Sequence, residues 1–81
     1  MPNLEQELRD LALADVHIAK GEINIGRMRV AVEHELAEGR DVTTAQSSLD
    51  AALDIQQTFI AHRAQIAQTI ADIRSGKLPS T

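Results

Sequence analysis

The sequence predicts an all-α fold: a long antiparallel two-helix hairpin, dimerising into a four-helix bundle. Three observations carry this expectation. Apolar residues recur every seven positions along nearly the whole chain, as in Leu4, Leu11, Ile18, Ile25 and Val32, which is the repeat of packed helices. Only one stretch, EGRDVTT at 38–44, reads as a convincing break. Aromatic residues are almost missing, with Phe59 alone, so the core must be Leu, Ile, Val and Ala, the usual filling of helical bundles.

The elements follow in order. Asn3 can cap a first helix, and Leu4, Leu8 and Leu11 begin its apolar spacing. This helix is expected over 4–38, although Gly21 and Gly26 inside it cost about 1 kcal/mol each relative to Ala. Those glycines mark a close helix contact or a soft point. Gly39 suits the left-handed residue that closes a helix, and the turn is read as 39–43. Thr43 followed by Gln46 matches a capping box for a second helix over 44–75. Asp41 adds negative charge beside the positive end of that helix. Gly76 and Pro79 in SGKLPST then end it. The hairpin thus occupies 1–76, with a frayed tail at 77–81.

Each helix carries two apolar lines. The first has Leu4, Leu11, Ile18, Ile25 and Val32 on one edge, and Val16, Ile23, Val30 and Ala37 about 140° round. The second has Ala52, Phe59, Ile66 and Ile73 on one seam and Leu53, Ile60 and Ala67 on the other. Two seams per helix imply two neighbours, hence a homodimer with coiled-coil-like packing.

A polar line runs between these seams. On the first helix Asp15, Glu22 and Arg29 stand in register with Leu8 and Leu36. On the second the matching line is Leu49, Gln56, Arg63 and Ile70. In an antiparallel hairpin turning near residue 40, Arg63 falls level with Ile18, between Asp15 and Glu22. Gln56 falls level with Ile25, between Glu22 and Arg29. Asp15, Glu22, Arg29, Gln56 and Arg63 are therefore expected to form a buried polar ladder that fixes register and oligomeric state. The alternative is a polar-ligand or metal site at Asp15, Glu22 and Arg63. Di-metal bundles pair Glu with a His three residues on, and no E-x-x-H occurs here.

Bulk properties narrow the function. A net charge of −4 and a pI near 5.2 argue against nucleic acid or an anionic membrane as partner. The RNA-binding plasmid regulator Rop shares the dimeric-hairpin architecture, but none of its motifs occurs here. The chain has no cysteine, which excludes disulfides, thiol catalysis and thiolate metal sites. No apolar run approaches a membrane span, and the start MPNLEQELRD has no signal-peptide character, so a cytoplasmic location is expected.

Catalytic motifs are also missing. There is no phosphate loop, no nucleophile elbow and no second His completing H-E-x-x-H after HELAEG. His17 and His62 are single histidines at the edges of their faces. Two parallel rods are expected to offer no concave pocket, so no enzyme activity and no cofactor are expected.

Two resemblances enter at this point. His34-Glu35-Leu36 resembles the H-E-L core of histidine-kinase dimerisation domains, themselves dimeric helical hairpins, which implies His34 as phosphoacceptor. That family continues R-T-P within a helix, whereas this chain gives A-E-G and ends it. The run LADVHIAKGEINI with the turn EGRDVTTAQ resembles short uncharacterised bacterial hairpin proteins carrying L-A-D-x-H-I-A-x-G-E-x-x-I and a G-x-D-x-T turn. That resemblance spans most of the chain and implies that Asp15, His17, Gly21 and Glu22 belong to a recurring motif. The expectation is a non-enzymatic, self-associating hairpin acting as a small adaptor, regulator or chaperone for a protein partner. A signalling or binding module, working through His34 or the polar ladder, is the alternative.

Overall fold

The computed structural model describes residues 2–79. Two helices make up nearly all of them, α1 over Leu4–Ala37 and α2 over Thr43–Arg74. Asn3 stands in extended backbone before α1, and its side-chain oxygen accepts the Gln6 N–H at 3.1 Å. Glu5 and Glu7 lie in the first turn, where the helix dipole favours negative charge. The far end of α1 falls one residue short of the expected boundary at 38. Gly39 adopts a φ of 68°. Its N–H bonds the Leu36 carbonyl at 3.1 Å, and the Arg40 N–H reaches the Glu35 carbonyl at 2.9 Å. This is the Schellman closure, which glycine enters without a Cβ clash. Arg40 also pairs with the Glu35 carboxylate at 2.9 Å.

The start of α2 corrects the sequence reading. The helix begins at Thr43, one residue early, and the Thr43–Gln46 capping box does not form. Asp41 instead accepts both the Thr43 N–H at 2.9 Å and the Thr43 hydroxyl at 2.6 Å. Gln46 turns its amide to Asp50 at 2.9 Å. Bonds to a carboxylate are stronger than those of a neutral box, so Asp41 takes over the cap. The Thr43 hydroxyl first, and its N–H second, hold the Asp41 carboxyl below its ordinary value of 3.8. At the other end Gly76 has a φ of 83°, and the Leu78 N–H bonds the Asp72 carbonyl at 3.1 Å. The tail expected at 77–81 is described as far as Pro79; positions 80 and 81 lie outside the described residues.

The helices lie antiparallel in a rod measuring 58 × 15 × 15 Å. α1 presents Leu4, Leu11, Ile18, Ile25 and Val32 to α2, as the periodicity implied. It also presents a second line through Ala14, Gly21 and Met28. On α2 the Ala52–Phe59–Ile66–Ile73 seam faces α1, but so does the line through Leu49, Gln56, Arg63 and Ile70. That line was expected between two seams; it is half of the contact itself, with Leu49, Gln56 and Ile70 buried. The tightest cluster joins Ala14, Ile66 and Ile70, with Leu4 and Leu11 packed on it, at the open end of the hairpin. Among the described residues no large side chain is completely enclosed, which reflects a core only two helices thick.

The remaining apolar line of α1 faces away from α2. Val16, Ile23 and Val30 are 46%, 57% and 64% exposed, and Ala37 is exposed as well. Of the second α2 seam, Ile60 is exposed while Leu53 and Ala67 are half-buried. Among the described residues no helix is long and apolar enough to cross a membrane.

Candidate functional site

The polar residues singled out by their spacing separate in the structure. Gln56 is buried at 6% exposure, and its amide donates to the Ile18 carbonyl at 2.9 Å. It sits beside Gly21 rather than level with Ile25, one helical turn nearer the start of α1. The reason is space. A Cβ on Gly21 would lie 1.9 Å from the Gln56 Oε1, so only a glycine admits this amide between the helices. With a Cα–Cβ bond of about 1.5 Å, the Gly21 Cα lies within about 3.4 Å of that oxygen, the range of weak Cα–H···O contacts. Among the described residues Oε1 has no conventional hydrogen-bond donor, so its burial is costly.

Arg63 is half-buried, and its Nε donates to the Asp15 carboxylate, one of the two acids it was expected to face. The side chains of the pair are 42% and 54% exposed. Asp15, Glu22 and Arg29 are all exposed along the flank of α1. Within one hairpin, then, Gln56 is the only buried member of the five. The other four line the edge of the helix contact instead of filling its centre. Charged groups keep their hydration there, while the neutral amide accepts burial.

The opposite flank holds a groove, where the sequence led us to expect none. Gly21 and Ala52 recede from the surface and leave an open hollow of about 350 Å³. Gln56 and Phe59 help to floor it, and His17, Lys20, Asn24 and Ile55 form its rim. The His17 ring lies 5.3 Å from the Phe59 ring at an interplanar angle of 31°. A smaller hollow of about 80 Å³ lies between Asp10, Leu13, His17 and His62. The larger groove has a cation and an imidazole but no carboxylate or hydroxyl in its lining. Among the described residues no group of three His, Asp or Glu side chains converges to hold a metal ion.

The remaining sequence-selected residues lie apart. His34 is exposed in the last turn of α1, where a basic group complements the helix dipole. Of the recurring-motif residues, His17 and Gly21 line the groove, whereas Asp15 and Glu22 stand on the other flank. The groove residues Ala52 and Ile55 carried no functional signal, because both read as ordinary members of a helical repeat. Compared with known proteins, the chain matches no family model, no curated protein and no solved structure.

Proposed function

We propose that this chain is a non-enzymatic interaction protein. Two hairpins pair as a homodimeric four-helix bundle, and the assembly presents its remaining faces to a protein partner as a small cytoplasmic adaptor, regulator or chaperone. The supporting observation is the exposed line Val16, Ile23 and Val30 on the side of α1 away from α2. Scattered exposed apolar residues are ordinary, but a continuous stripe of them marks an interaction surface. His34, the residue of the alternative phosphotransfer reading, stands exposed in the last turn of α1, apart from this stripe.

Sedimentation at micromolar concentration tests the first half, with a mass near twice 8.8 kDa expected. Affinity capture from the native cell tests the second. The proposal expects one protein species to be retained by the wild type and lost when surface side chains are changed without loss of helicity. Retention of nucleic acid or lipid alone would contradict it.

A further inference from the structure

The outer face of α1 specifies how the second copy docks. This inference rests on the self-association reading and replaces the closed four-helix bundle with a row of four helices, because the two contacts of α1 lie on nearly opposite faces. Along that face two lines alternate: Val16, Ile23 and Val30, and, four residues before each, Ala12, Ala19 and Gly26. Together they repeat at intervals of three and four, a second coiled-coil seam. Its centre lies roughly 150° around α1 from the contact with α2, at 100° per residue. Every member is exposed, and a Cβ on Gly26 would meet nothing within 4 Å. Arg9 and Glu33 bound the apolar stretch.

The hairpin exposes more surface than a compact chain of its mass. The chain exposes 5657 Å², whereas a compact protein of 8.8 kDa exposes roughly 4,800 Å². The excess of about 900 Å² is close to the ~800 Å² that each partner buries in a specific interface.

Charge decides the orientation. One flank of the seam carries Leu8, Asp15, Glu22 and Arg29, and the other carries Leu13, Lys20, Arg27 and His34. An antiparallel pair sets each flank against itself, bringing Lys20 against Arg27 of the second copy on one side and only Glu22 against Arg29 on the other. A parallel pair sets unlike flanks together, each residue meeting the one five positions on in its partner. Leu8 then meets Leu13, Asp15 meets Lys20, and Glu22 meets Arg27, each twice by symmetry, while Arg29 falls beside His34 at the end of the seam. Asp15 reaches Arg63 through Oδ1 and keeps its other oxygen for this contact. Leu8 and Leu13, exposed in the single hairpin, gain a partner in the same step. We infer that two copies pair in parallel and in register through Ala12–Val30 of α1, with the two α2 helices outside.

The absence of cysteine makes the test direct. Ala12→Cys and Val30→Cys, each alone, are expected to oxidise to covalent dimers, while a mixture of the two forms no 12–30 crosslink. Glu22→Arg and Arg27→Glu should each weaken association about tenfold or more, and the double variant should regain wild-type affinity. All four positions are exposed in the hairpin, so circular dichroism should show unchanged helicity. A dimer in which neither cysteine variant crosslinks to itself, or in which Ala12→Cys and Val30→Cys join only to each other, overturns this pairing and leaves self-association standing. A wild-type mass of 8.8 kDa with full helicity overturns both.

Discussion

Gly21 and Gly26 lie on the same helix, five residues apart, and answer opposite demands. Gly21 exists for Gln56: its missing Cβ is the space into which the amide oxygen fits. Gly21→Ala forces that side chain away from the Ile18 carbonyl while leaving it between the helices. It should lower stability by roughly 1–3 kcal/mol, read by urea denaturation, despite the better helix propensity of Ala. Gly26→Ala meets no atom of the hairpin and should raise stability by up to about 1 kcal/mol. Equal effects of the two substitutions would contradict this account of Gln56. Arg63→Ala removes the ion pair to Asp15, but both side chains are substantially exposed. A loss within about 1 kcal/mol is expected; a larger one would place the pair in a more enclosed setting than one hairpin provides. Both glycines stood out in the sequence as breaks in a good helix pattern. Which of them touched a neighbour was not legible, because that depends on the register of α2.

At the scale of the helix, the turn was legible where backbone geometry demanded one residue type. Gly39 closes α1 in the left-handed region, and few side chains tolerate that conformation. The second cap was misread because Thr43 and Gln46 satisfy a known pattern, while Asp41, two residues upstream of Thr43, offers a stronger acceptor. This cap gives the hairpin a pH dependence. The folded Asp41 carboxyl lies below its ordinary 3.8, so its contribution is fully present above that value. It is lost as pH falls through the lower folded value. Thermal melts from neutral pH into this acid range should show falling stability, and Asp41→Asn should flatten part of the fall. An identical acid profile in the variant would remove Asp41 from the account. The contact lines were half legible. Leu4 to Val32 announced itself by uniform apolar spacing, whereas its companion through Ala14, Gly21 and Met28 also carries Glu7 and Glu35. Those charges hid the period.

Over the whole molecule, the sequence implied two seams per helix, and the hairpin uses one on each. α1 keeps Val16, Ile23 and Val30 outside, on a rod too thin to enclose any large side chain among the described residues. The line Asp15, Glu22 and Arg29 fits the same picture. Inside a hairpin it looked like charge in a buried face, but on the structure it borders the unused seam. In the proposed pairing its two acids, Asp15 and Glu22, meet the Lys20–Arg27 flank of a second copy, and Arg29 lies at the seam's end. The groove beside His17 and Phe59 was not legible, since it arises from two small residues on different helices coming level. All these features lead back to one claim, that the hairpin is half of a particle. Sedimentation equilibrium of the wild-type chain at micromolar concentration tests it most directly. The account predicts a mass near twice 8.8 kDa, falling to the single-chain value in Ile23→Asp with helicity retained. A wild-type chain that is fully helical and cooperatively folded at 8.8 kDa would contradict it.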